Sequence, residues 1–170
     1  MVRPPIFSVS DVPVAMLRRR DLGIATAMSI ATVLSAGVWF APAALGDSVT
    51  QVRDAVASAR GGTSCSALRY DAVVEHVADV INRSNDDYLN QVATRVPISD
   101  PLEGLKDLGY RGTKAYLLQG ANESEAKAIK GALLEGYDAI PDCSYTDFGV
   151  SMLRNATTGY AMATIVLAGH

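Results

Sequence analysis

The hydrophobic pattern is clearest near the C-terminus. Phe148, Val150 and Met152 alternate along one segment, and Tyr160, Met162, Thr164 and Val166 along a second. Period-two alternation predicts strands, and Asn155-Ala-Thr-Thr-Gly159 between them predicts a hairpin loop. The second segment is apolar on nearly both faces, which predicts a central strand covered by helices on both sides. Upstream the period lengthens. Val49, Val52 and Val56 recur at helical spacing after Asp47-Ser48, a candidate cap, and Gly61-Gly62 ends that run. A longer helix is expected from about Asp71 to Val92, with Val73 or Val74, Val77, Val80 or Ile81, and Tyr88 on its apolar stripe. Pro97 and Pro101 interrupt the chain. LEGLKDLGY then reads as a short helix stopped by Gly109, and Thr113 to Gln119 as a weak strand. Asn122-Glu-Ser-Glu125 has the form of a capping box opening a helix, with Ala126, Ile129, Leu133 and Tyr137 on one face. Helices first and a late hairpin give an α+β domain, helices packed on a small antiparallel sheet.

The N-terminus changes the picture. No charged residue occurs from Leu22 to Gly46, and Arg18, Arg19 and Arg20 precede that run. A basic start, an apolar core and a small-residue exit describe an export signal, with Ala41-Pro42-Ala43 and Ala44-Leu45-Gly46 as cleavage candidates. Residues 1–15 read as an upstream extension before Met16. The apolar run is also long enough for an uncleaved signal anchor, since spanning takes roughly 20 residues. Two regions follow: 1–46, extension and signal or anchor, and 47–170, one domain outside the cytoplasm, secreted or in the cell envelope.

From Asp47 onward, sixteen acidic residues stand against eleven Lys and Arg, a net charge near −5. An acidic domain without a basic stripe argues against nucleic acid, and against any membrane contact except through an uncleaved N-terminal segment. The only cysteines, Cys65 and Cys143, are expected to pair in an exported chain. Zinc would need further Cys or His ligands nearby.

The order of several segments resembles the CAP superfamily of cysteine-rich secretory, antigen and pathogenesis-related proteins. LRYDAVVEHVADVIN, LKDLGY, AYLLQG, the helix from Glu123, and TDFGVSMLRNATTGYAMATIVLAG carry the resemblance across roughly residues 66–168. Its best parts are Leu68-Arg69-Tyr70-Asp71, Phe148-Gly149-Val150 and Gly159-Tyr160. It implies an α-β-α sandwich, usually secreted, with a cleft where two His and acidic residues can hold a divalent metal. In this chain the family's Glu falls near Ala115, the following Asn near Tyr116, and the second His at Gly136. The Asn-Ile pair becomes Ala139-Ile140, and no His lies between Asp86 and Thr94. The resemblance therefore implies a degenerate bacterial member, without the family's metal site or any cofactor. Tyr116, Gly136 and Tyr137 become the candidate ligand-binding residues on a vacated rim. The ligand it implies is a small apolar molecule or another protein.

Other chemistry is sparse. His76 has Glu75 and Asp79 nearby but spacing for two ligands at most, and His170 is terminal. No Ser stands beside a His, so no catalytic residue is assigned and the expectation is a non-enzyme. The alternative is a hydrolase with a relocated acidic site of Asp138, Asp142, Tyr137 and His76. Asp138, Asp142 and Asp147 lack EF-hand spacing. Tyr110, Tyr116, Tyr137 and Tyr145 are candidates to line a cleft. Sequons at Asn82, Asn122 and Asn155 are set aside, because the Ala/Val-rich, Lys-poor composition has a bacterial cast.

Overall fold

A computed structural model describes residues 47–170, so the signal or anchor segment and its cleavage triplets lie outside the described residues. The elements are α1 (Ser48–Gly61), β1 (Arg69–Tyr70), α2 (Ala72–Leu89), α3 (Pro101–Asp107), β2 (Lys114–Asn122), α4 (Glu125–Glu135), β3 (Tyr145–Arg154) and β4 (Ala161–Gly169). The sheet runs β1-β3-β4-β2. β4 pairs antiparallel with both β2 and β3, and all nine of its residues are buried. The apolar run of β4 thus has its predicted place inside the sheet.

Side-chain alternation separates two cores. On one face Phe148, Val150, Ile165, Leu167 and Leu118 pack against Val52 and Val56 of α1 and Ile129 and Ala132 of α4. On the other, Val166 and Ala168 pack against Val74, Val77 and Ile81 of α2 and Leu105 of α3. The result is α1 and α4, sheet, then α2 and α3: an α-β-α sandwich. Two glycines set the layer spacing. A Cβ on Gly149 would lie 2.1 Å from the Glu75 nitrogen, and one on Gly120 would lie 2.0 Å from the Ala128 oxygen. Only glycine lets these helix backbones come so close to the strands.

Several local details differ from the sequence pattern. The sheet is mixed, because the two exposed residues of β1 add to β3 in parallel. Their short pairing is reinforced by the bond from Arg69 to Asp147. α2 ends at Leu89, and Asp71 caps it by accepting from the Val73 and Val74 nitrogens. Val80 and Tyr88 are exposed, while Asn82 takes the core position. The Asn82 amide is tolerated there because Nδ2 donates to the Met162 oxygen at 3.0 Å and to Ser151 Oγ at 3.2 Å. The capping box does not form: Asn122 is still paired in β2, Ser124 is the N-cap, and α4 starts at Glu125. Its buried residues are Ala128, Ile129 and Ala132, and Tyr137 lies beyond its end. Asp47 caps α1 without a side-chain bond, and Ser48 Oγ donates to Glu125 instead.

Asp147 ties three segments together: β1, the loop after α3 and its own strand β3. It is 1% exposed. One oxygen accepts from Arg69 Nε at 2.7 Å, and the other from Tyr110 Oη at 2.8 Å and Thr146 Oγ1 at 2.9 Å. Burial alone would raise the carboxyl pKa, but these donors outweigh it and hold the group below its ordinary value of 3.8. A depressed carboxyl stabilises the fold above its unfolded pKa, and that contribution is lost as pH falls through the folded one. Asp147→Asn should therefore cost about 2–3 kcal/mol at pH 7, from broken charge-assisted bonds. Urea unfolding measured from pH 7 to pH 2.5 should show a shallower acid loss in the variant below about pH 4.

Candidate functional site

The rim nominated from the sequence is built as a strut. Gly136 caps the C-terminus of α4 and is buried. A Cβ there would lie 2.8 Å from Leu118 Cδ1 and 3.1 Å from Ile140 Cδ1, so packing accounts for the glycine. Tyr116 is half-exposed on β2, its ring edge-on to Tyr145 at 6.4 Å. It shares the α4 face of the sheet with Leu118, and hence with Gly136. Ala115 faces α2 on the opposite side. The positions equated with the family's Glu and second His therefore do not converge. Tyr137 is 77% exposed.

The structure adds a partner that the sequence did not reveal. Lys114, at the start of β2, reaches across to Asp142 at 2.8 Å and to Ser144 Oγ, above the Tyr145 ring at 4.1 Å. A serine beside a lysine can be a nucleophile only if the lysine gives up its proton near neutral pH. Here the bond to Asp142 raises the Lys114 pKa, and Ser144 Oγ donates to Asp142 Oδ1 at 2.6 Å. The bonds from Lys114 and Ser144 in turn hold the Asp142 carboxyl far below the usual range. Each proton is committed in the wrong direction for base-assisted attack.

Beside this strut, Cys65 and Cys143 form a disulfide, with Cα atoms 5.1 Å apart. Arg60, from the last turn of α1, is buried next to it and donates to four backbone carbonyls.

His76 does not join Asp138 and Asp142. It lies exposed on α2, while Ala139 and Ile140 of the acidic loop pack into the core on the α1–α4 face. The proposed relocated site is thus split between sheet faces. His76 instead lines a cavity of about 370 Å³ with Tyr70, Glu75, Asp79 and Ser151. Both acids near His76 in the sequence, Glu75 and Asp79, share that cavity. The acids there are already paired: Glu75 with Arg53 and Asp79 with Arg83. Ser151 Oγ donates to Asp79 at 3.3 Å rather than to the histidine. A serine bonded directly to the acid does not reproduce the Ser-His-Asp relay. Among the described residues, no group of three or more His, Cys, Asp or Glu is placed to hold a metal ion.

Two more apolar cavities flank the segment between α2 and α3. One, about 270 Å³, lies under the C-terminal half of α2 and is lined by Asn82, Tyr88, Leu89, Pro97, Gln119 and Met162 among others. The second, about 210 Å³, is lined by Val77, Val80, Ile81, Ile98, Pro101 and Leu108 among others. Val80, Tyr88, Leu89, Ile98 and Leu108 are each 41–50% exposed, so apolar side chains edge both cavities, with His76 and Asp100 also lining the second. Asn82 and Asn155, two of the three sequon asparagines, are fully buried. The Asn155 amide donates to Asp86 and Asn90, leaving it no access to a glycan.

The fold is CAP-like, as its likeness to solved cysteine-rich secretory and SCP-domain proteins shows. An outer surface protein from Borrelia burgdorferi is similar, with a TM-score of 0.57 and 12% identity over 72% of this chain and 92% of that one. A cysteine-rich secretory protein from Staphylococcus aureus matches with a TM-score of 0.52 and 11% identity over 72% of this chain and 39% of its own. An extracellular protein containing an SCP domain from Bacillus anthracis matches with a TM-score of 0.50 and 15% identity, again over 72% of this chain and 40% of its own. This chain therefore spans about two fifths of each of the latter two proteins. No protein-family model matches the sequence, and no curated protein matches it.

The residues missed from the sequence are Lys114, Arg60, Asn82 and Gln119. No local signal marks the first two, whose partners include residues far along the chain, such as Asp142 for Lys114 and Tyr145 for Arg60. Asn82 could have been found by helical phase alone, one step after Ile81 on the buried stripe.

Proposed function

We propose that this domain is a non-catalytic binding module outside the cytoplasm, and that its ligand is a small apolar molecule held beside α2. The observation that carries the reading is the pair of apolar cavities on either side of the 90–100 segment. Ligand sites are concave, mostly apolar and supplied with few polar groups. The acidic rim and the His76 cavity support it by contrast, because Asp142, Glu75 and Asp79 are already paired with Lys114, Arg53 and Arg83. An extracytoplasmic setting is supported by the disulfide, which persists in oxidising compartments, and by the outer-surface and extracellular proteins that share the fold.

Titration with the neutral fluorophore 1-naphthol should give saturable binding at one or two sites. Leu89→Glu, which puts a charge on the rim, should weaken it at least about tenfold. Non-saturable binding to the native protein would count against the reading. Calorimetry with Zn²⁺, Ca²⁺ and Mg²⁺ should show no stoichiometric uptake. Micromolar binding of any of the three, lost in Asp142→Ala, would replace this function with a metal-dependent one.

A further inference from the structure

We infer that the cavity under the C-terminal half of α2 selects a neutral apolar molecule of about ten heavy atoms that carries one hydroxyl. This deepens the function just proposed and rests on it. Three buried side-chain atoms among the described residues have no hydrogen-bond partner: Arg53 Nε, Asn82 Oδ1 and Gln119 Nε2. Two of the three belong to residues lining this one cavity. Buried polar groups in native structures nearly always have a partner, and each orphan calls for one.

The orientation of Asn82 is fixed by chemistry. Its Nδ2 donates to the Met162 oxygen and to Ser151 Oγ, so the free end of the amide is the acceptor. Gln119 presents a free donor. The two residues meet the same sheet face in adjacent rows. Gln119 pairs with Thr164 across β2 and β4, and Asn82 holds Met162 two residues earlier in β4. One acceptor and one donor therefore lack partners over one patch of the sheet.

A hydroxyl is the smallest group that gives one hydrogen bond and takes one. A carboxylate could not donate to Asn82, and an ammonium could not accept from Gln119. No charged residue lines the cavity, so an ionic head would lose its hydration without a counter-charge. Tyr88, Leu89, Pro97, Met162 and Ala163 supply the apolar remainder. Size follows from volume: an apolar cavity near 150 Å³ takes benzene. The present 270 Å³ thus suits roughly ten heavy atoms.

The test uses two isomers, 1-octanol and 1-methoxyheptane. They share formula and apolar content, but only the alcohol can donate. Each is titrated into the ¹⁵N-labelled protein produced from the full chain, and amide shifts are followed by NMR. The alcohol should bind about tenfold more tightly, with its largest shifts at Asn82, Leu89, Gln119 and Thr164. Gln119→Met, which keeps length but removes the donor, should weaken octanol binding about tenfold. Should that variant lose its dispersed spectrum, the isomer comparison on the native protein decides alone. Equal affinities at this cavity would overturn the hydroxyl assignment and leave a bound water as the partner of the two amides. Largest shifts elsewhere would overturn the choice of cavity while sparing the binding function. Binding of neither isomer anywhere would remove both.

Discussion

Replacing Arg60 with Met is expected to lower the unfolding free energy by about 4 kcal/mol at pH 7. The melting temperature should fall by roughly 12–20 °C for a domain of this size. Arg60 is 2% exposed, yet no carboxylate is bonded to it. Its Nε donates to the Ser66 oxygen at 2.9 Å. Nη1 donates to the Ile140 and Asp142 oxygens, and Nη2 to the Tyr145 oxygen at 2.7 Å. Four of five guanidinium N–H groups thus satisfy carbonyls from two loops and the first residue of β3. Burial lowers its pKa, but a guanidinium stays protonated throughout the accessible range. Methionine fills much of the volume and removes all four bonds, although the Asp142 oxygen keeps the Tyr145 N–H at 3.2 Å. Each unpaired buried group costs about 1–3 kcal/mol, reduced where water can enter. Arg60→Lys should cost less, about 2 kcal/mol, because the ammonium keeps the charge but lacks the fork needed to reach all four oxygens. Urea unfolding followed by circular dichroism measures both. A loss under about 1 kcal/mol for Arg60→Met would show that the four carbonyls are well hydrated without it.

Arg60 also marks where the sequence stops being readable. Its helix is legible, since Val49, Val52 and Val56 fall on one face and Gly62 follows. Its role is not, because an arginine in a last turn ordinarily reads as a solvated complement to the helix dipole. The hairpin is legible for the opposite reason: its alternation is local, and β3 and β4 pair over nearly their full length. β1 is not, because two exposed residues carry no period and are reinforced by Arg69 on Asp147, 78 positions away. The stripe of α2 shows correctly at Val74, Val77 and Ile81, then leads astray to Tyr88. The buried position belongs to an asparagine, which a hydrophobic pattern counts as surface. The same bias hides the α2 cavity, whose informative residues are two amides. Gly136 reads in the sequence as the ghost of a ligand, whereas contact with Leu118 and Ile140 explains it without reference to a lost site.

Removing the disulfide, by Cys65→Ser with Cys143→Ser, is expected to cost about 4.5 kcal/mol. The bridge closes a loop of 78 residues, and in the chain-entropy treatment the whole effect lies in the unfolded chain, which becomes freer. That assignment can be tested here because Arg60 holds the same two places. Ser66 and the 140–145 segment are gripped by the guanidinium, and Cys65 and Cys143 lie beside them. If the bridge acts on the unfolded state and Arg60 on the folded one, their losses should add within about 0.5 kcal/mol. If instead the bridge works by positioning the loop for the guanidinium, a protein lacking one has little left to lose from the other. The cycle should use Arg60→Lys, because Arg60→Met and the serine pair together approach the roughly 5–15 kcal/mol that holds an ordinary domain folded. Additivity is the expected result. A coupling above about 1 kcal/mol would relocate the effect of the bridge from the unfolded chain to the folded loop. Non-reducing peptide mass spectrometry on the native protein supplies the control, since the cycle has meaning only where Cys65 and Cys143 are found linked.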